Sequence, residues 1–234
     1  MTAIIDTFIA PPCNEAVTVL YQDEYLLAVN KPSGLLSLSG KNPLNKDSVH
    51  YRIVQQFPTA LMAHRLDFGT SGVLLLALDK SSNAQLTKQF QARTVKKRYM
   101  AVLLGKIEQT EGRVSVPIAK DPPNFPRQKI CYDTGKEAIS HYRVIEYFDN
   151  PLRTRVEFTP ETGRTHQLRV HSLAMGHPIL GCDLYADGES EQLAERLLLH
   201  ASRIEFLHPH SNQPMTIETT FSHHMVMFIF GLLI

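Results

Sequence analysis

The chain has 234 residues, of which 43% are hydrophobic and 20% charged, with a formal net charge of +1. That balance is ordinary for a soluble globular protein large enough to bury a full core, and it neither requires nor excludes a nucleic-acid partner; any basic surface has to be local. Three widely spaced cysteines, Cys13, Cys131 and Cys182, exclude a CxxC zinc or redox motif and suit a reducing compartment, so a cytoplasmic location is expected.

Residues 1–16 read as an irregular arm, closed by Pro11-Pro12 and without the basic and apolar pattern of a secretion signal. "VTVLY" and "LLAVN" are two short strands around a Gln-Asp-Glu turn, and Pro32-Ser33-Gly34 stops the second. "SVHYRIVQQF" has Val49, Ile53, Val54 and Phe57 at helical spacing. A polar turn, "HRLDFGTSG" over residues 64–72, runs straight into a buried strand, "GVLLLALD". "SSNAQLTKQFQART" opens on a serine cap and carries Leu86 and Phe90 on one helix face. "KKRYMAVLLGK" is a strand ended by glycine.

"GRVSVPI" follows, and then the proline-rich loop "AKDPPNFPRQK". Three strands are expected at "EAISHYRVIEYF", "RTRVEFTP" and "RIEFLHP". "THQLRVHSLAMG" reads as a helix stopped by Gly176, and "SEQLAERLLLH" as a helix ending near His200. Strands outnumber helices without alternating with them, so the fold class is α+β with a mainly antiparallel or mixed sheet. The last segment, "MVMFIFGLLI", is apolar but about half the length of a membrane span, and no membrane partner is expected.

Three constellations could carry chemistry. In the first, Asp67 sits among His64, Arg65, Thr70, Ser71 and small residues at the mouth of a buried strand. Turns are commonly made of such residues. A nucleophilic carboxylate, however, has to be ionised, fixed and facing a gap; here Arg65 and His64 are close in sequence, and the small residues that follow leave space above the strand end. In the second, "ETGRTHQLRVHSLAMGHP", Arg164, Gln167 and His171 stand at spacings of three and four, and Leu168 is also four from Arg164. Such a face is either a solvated basic helix or a guanidinium delivered from a helix start to an acid, a role suited to a side chain that stays charged. His166, His171 and His177 lack metal-ligand spacing, so no metal is expected. In the third, Arg93, Lys96, Lys97 and Arg98 run into Tyr99. This is either a solvated charge run or a phosphate-binding rim beside a stacking platform, with Arg127 and Lys129 adding to it from a loop.

Taken together, the motifs resemble the RluA family of RNA pseudouridine synthases. "HRLDFGTSG" is similar to that family's H-R-L-D-x-x-T-S-G signature. "AVNKPSGLLSL", "KKRYMAVLLG" and "GRTHQLRVHSLAMGHPILG" resemble its first, tyrosine and arginine motifs, in the family's order. The resemblance covers residues 17 to 221, which divides the chain into an arm (1–16), a catalytic domain (17–221) and a divergent apolar tail (222–234). It implies a pseudouridine synthase catalytic domain: a bent, mixed, mainly antiparallel sheet with flanking helices and a central cleft.

By the same resemblance Asp67 would be the catalytic aspartate, Arg164 its partner and Tyr99 the ring against the target uracil. Leu168 would line the pocket, Arg65 would enter the space left by the extruded base, and His64 would also face substrate. Arg93, Lys96, Lys97 and Arg98 would contact RNA phosphates. The substrates would be ribosomal and transfer RNA stem-loops, met by a monomer. Uracil would be cut from ribose, turned and rejoined through carbon 5, an isomerisation that needs no cofactor; flipping the base costs about a few kcal/mol. One departure is Gly181-Cys182 where the family commonly has Gly-Asp, with Asp183 one place later. Two other classes compete. A glycoside hydrolase would need a second carboxylate paired with Asp67, and Asp79 and Glu161 show no such pairing. A noncatalytic RNA-binding module would have no use for Asp67, Tyr99 and Arg164 together.

Overall fold

In a computed structural model, residues 8–185 and 188–221 are described. The tail expectation, 222–234, therefore lies outside the described residues. In chain order the elements are β1 (Thr18–Gln22), β2 (Leu26–Lys31), α1 (Val49–Ile53), β3 (Leu61–Met62), β4 (Ser71–Ala77) and α2 (Lys80–Gln91). Then come β5 (Lys96–Leu104), β6 (Glu111–Ser115), β7 (Ile118–Lys120), β8 (Gln128–Ile130), β9 (Ile139–Phe148) and β10 (Arg153–Pro160). The chain closes with α3 (Gln167–Ala174), α4 (Glu189–Gln192), β11 (Leu199–Leu207) and β12 (Pro214–Glu218). This is an α+β protein, as the sequence pattern leads one to expect.

The described residues form two compact units, one of residues 8–95 and 204–219 and the other of residues 96–185, 188–203 and 220–221. In the first, β2 lies between β1 and β4, antiparallel to both, and β3 pairs with one end of β4. All seven residues of β4 are buried, which is why its sequence is a continuous apolar run rather than an alternation. Leu26, Ala28, Val73, Leu75, Leu86, Val95, Ile204 and Phe206 form the core of this unit. Helix α2 lays Leu86 and Phe90 on it, as their spacing requires. The cap of α2 is Asp79 rather than a serine: its Oδ1 accepts the Ser82 N–H at 2.9 Å. A charged oxygen at that position also suits the positive end of the helix dipole.

In the second unit β10 lies between β5 and β9, and β6 flanks β9, all antiparallel. The loop read at "AKDPPNFPRQK" contains a small hairpin, β7 with β8. Ala101, Leu103, Tyr142, Val156, Phe158, Leu168, Ile179 and Leu180 are among its core residues. The helix expected over "SEQLAERLLLH" is confined to α4, and His200 stands in β11. Leu197, Leu198 and Leu199 are consecutive and all buried, which a one-faced helix cannot achieve. The Leu198 N–H instead donates to Leu180 O at 2.9 Å.

Candidate active site

The turn that carries Asp67 is built on its backbone. The Thr70 N–H donates to Asp67 O at 3.1 Å, closing a tight turn just before β4. Three residues of "NKPSGLLS" hold this turn from outside. Ser33 Oγ donates to Gly69 O at 2.7 Å, the Gly34 N–H to Phe68 O at 3.0 Å, and Ser37 Oγ to Leu66 O at 2.7 Å. Gly34 has φ +70°, a conformation that costs glycine little.

The central fastening is Lys31. Its side chain is fully buried, and its ammonium donates to Pro32 O at 2.9 Å, Phe68 O at 3.0 Å and Thr70 O at 2.8 Å. A buried charge is tolerated only when its hydrogen-bonding capacity is met, and three carbonyls meet the three protons of an ammonium. The loop is thus pinned at Leu66, Phe68, Gly69 and Thr70, on both sides of Asp67. Asp67 itself is partly exposed, and no donor of its own unit reaches the carboxylate among the described residues. Held main chain with an unengaged acid is the arrangement a nucleophile or electrostatic group needs.

The other residues of this turn divide. Arg65 is exposed. His64 is tied into the packing: its Nε2 accepts the Leu75 N–H of β4 at 3.0 Å and its ring stacks on Phe90 of α2, centroids 4.5 Å apart. Arg93, at the end of α2, is exposed and has φ +58°.

The second unit holds the remaining candidates. Tyr99 lies on β5 opposite Phe158 of β10 and packs, partly buried, against the cluster that contains Leu168. Lys96 is exposed; Arg98 faces Glu157 at 3.6 Å, which reduces the charge it can offer a phosphate. Lys97 reaches the Gly163 turn, where its Nζ is 3.8 Å from the place a Cβ would take.

Arg164 is not on the helix face expected from its spacing. Helix α3 begins at Gln167, and His166 before it is left-handed, with φ +56°. Arg164 therefore stands on the turn, its N–H donating to Gln167 Oε1 at 3.0 Å and its Nε to Glu137 O at 2.9 Å. Gln167 is the buried hub of that turn. Its Oε1 also accepts from Thr162 Oγ1 at 2.7 Å, and its Nε2 donates to Ile139 O and Ser140 Oγ at 2.9 Å each. His166 is fixed through Nδ1 to Tyr185 Oη at 2.7 Å, an oxygen that also accepts the Gln128 N–H at 2.7 Å. Arg169 answers the question raised by Gly181-Cys182. Its guanidinium directs Nε and Nη2 to Cys182 Sγ at 3.3 Å each, and Nη2 also ion-pairs with Asp183.

Tyr185 and Lys31 were not singled out from sequence. Lys31 had a signal, since it lies inside the first family motif; Tyr185 had none. Among the described residues no cluster of three His, Cys, Asp or Glu side chains is set to hold a metal, and no helix is long and apolar enough to cross a membrane.

The fold is that of the pseudouridine synthases. The structure matches human RNA Pseudouridylate Synthase Domain Containing 1 with a TM-score of 0.77 and 28% identity, covering 90% of this chain and 85% of that one. A family model described as RNA pseudouridylate synthase matches residues 25–174. The chain is 51% identical over 197 residues to the dual-specificity RNA pseudouridine synthase RluA of Yersinia pestis, covering 84% of this chain and 95% of that protein. Identity to the enzyme of the same name from Escherichia coli K12 is 48% over 209 residues, covering 89% and 94%. The chain belongs to the RluA family of RNA pseudouridine synthases. It is an isomerase that acts on RNA, and the glycosidase and noncatalytic readings fall away.

Proposed function

We propose that Asp67 is the carboxylate on which the isomerisation turns, with Tyr99 and Arg164 as its catalytic companions and Leu168 beside the uracil. The observation that carries this reading is the pinned main chain around Asp67 with its acid unengaged in its own unit. In the reaction the bond from ribose C1′ to uracil N1 breaks, the base turns, and a bond from C1′ to C5 forms. The proton on C5 leaves and N1 gains one, so atoms and electrons balance within the nucleotide.

Arg65, exposed beside Asp67, fills the gap left by the extruded base. Lys96, Lys97, Arg93 and Arg98 meet phosphates, and Arg98 does so while facing Glu157. His64, anchored through Nε2 to the Leu75 N–H, faces substrate at the start of the loop. The substrates are stem-loops of ribosomal and transfer RNA, a reading supported by the dual specificity in the names of the bacterial relatives. The enzyme works as a cytoplasmic monomer, in keeping with its sparse cysteines.

The test is Asp67→Asn, which keeps shape and removes charge. Tritium release from RNA labelled at uridine C5 should fall to background while RNA still binds. A folded variant with near wild-type release overturns the assignment.

A further inference from the structure

Residues 8–15 touch the Asp67 loop through Phe8 and are fastened beside it to Asn45 and to Arg52 of α1. Asn45 accepts the Ala10 N–H through Oδ1 at 2.8 Å and donates from Nδ2 to Phe8 O at 2.7 Å. Arg52 donates from Nη1 to Glu15 O at 2.6 Å and from Nη2 to Cys13 O at 2.5 Å, while the same guanidinium grips Asp47. The Phe8 ring meets Phe68 edge-on, centroids 5.3 Å apart. These contacts do more than cover the loop, because they leave a cavity of about 420 Å³ open beneath the segment. Residues 11–15 line one side and Ser33, Gly34 and Phe68 the other. A side chain added at Gly34 would meet nothing within 4 Å, so the floor is open space.

The lining limits the occupant. Among the described residues it includes two prolines, a phenylalanine and Glu15, and no lysine, arginine or histidine. A phosphate would find no cation there and a carboxylate at the rim. A flat, largely apolar group would find proline and aromatic surface, which is how unstacked bases are held. The volume falls in the range of small-molecule sites. Position supplies the rest. Phe68 is the residue after Asp67, and neighbouring Cα atoms are about 3.8 Å apart. With the reacting uridine at Asp67, the next group within reach along the RNA is an adjacent nucleotide.

We propose that this pocket is a subsite for a nucleobase flanking the target uridine, and that residues 8–15 thereby take part in choosing the RNA. The inference rests on the assignment of Asp67, and the test separates the two.

Cys13 lies in the lining and is partly exposed; of the other thiols Cys131 is also partly exposed and Cys182 is buried. In a Cys131→Ser, Asp67→Asn protein, which should hold RNA without turning it over, saturating substrate RNA should slow alkylation of Cys13 by iodoacetamide at least about tenfold. In the Asp67-containing protein, an abasic nucleotide at one position flanking the target should lower kcat/KM for tritium release about tenfold. Cys13→Phe, which occupies part of the cavity, should lower kcat/KM on intact RNA and then show a smaller penalty for that abasic substitution. Unchanged alkylation of Cys13 in a complex that does form, or equal abasic penalties in both proteins, overturns the subsite. Neither result touches Asp67, whose role fails only if the Asp67→Asn protein still converts uridine.

Discussion

Lys31→Met keeps the volume and length of the side chain and removes its ammonium. Two opposing terms set the result. The variant no longer buries a charge, a relief of several kcal/mol. It also loses three charge-assisted bonds, to Pro32 O, Phe68 O and Thr70 O, worth roughly 1.5–3 kcal/mol each. Phe68 O keeps the Gly34 N–H, so the bond losses are felt most at the carbonyls of Pro32 and Thr70. The expected net destabilisation is about 2–4 kcal/mol, less than the gross bond loss because of the relief. The kinetic effect should be the larger one. With Phe68 and Thr70 released, Asp67 sits on a loosened turn, and a displacement of about 1 Å can cost on the order of 100-fold. Urea unfolding followed by a spectroscopic probe gives the first number, as a lowered midpoint at unchanged m-value. Single-turnover tritium release, measured where the variant is fully folded, gives the second. A folded Lys31→Met protein that releases tritium at the wild-type rate would refute the view that Lys31 holds the catalytic loop.

His171 is fully buried in α3, neither ring nitrogen has a partner among the described residues, and burial pushes its pKa down to about 4 from 6.5. The unfolded chain therefore binds more protons between those values, so stability is complete above about pH 6.5 and falls by up to about 3 kcal/mol as pH drops towards 4. His171→Leu should flatten that limb of unfolding free energy against pH, and an unaltered slope would refute the cause. Neutralising Lys96 and Lys97 to glutamine should weaken RNA binding and reduce the slope of log affinity against log salt by about one unit per lost contact. If the slope is unchanged, the run is only a solvated face. Tyr99→Phe should keep most RNA affinity and slow turnover if the hydroxyl moves a proton; a wild-type single-turnover rate would leave Tyr99 as packing alone.

What was legible in the chain was local. The apolar run of β4, the turn residues before it and the periodicity of α2 each depend on neighbours a few positions away, and each formed where expected. The motif around Asp67 was legible for the same reason, since a turn entering a buried strand is written in consecutive residues. The conformations decided by distant partners were not. Nothing near Lys31 announces that its ammonium will meet Phe68 and Thr70, 37 and 39 positions on. Arg164 fits a helix face by spacing, yet the left-handed His166 keeps it off the helix, with Tyr185, 19 residues away, holding that histidine. "ERLLLH" has helical composition, but three consecutive leucines could all be buried only once Leu180 offered its carbonyl to Leu198. The sequence by itself determined which residues are reactive and which segments can be strand or helix, because those follow from side-chain chemistry and short-range sterics. The tertiary structure decided where the acid's backbone is clamped and which polar groups are buried together, because those depend on carbonyls and cations that meet only after the chain has closed.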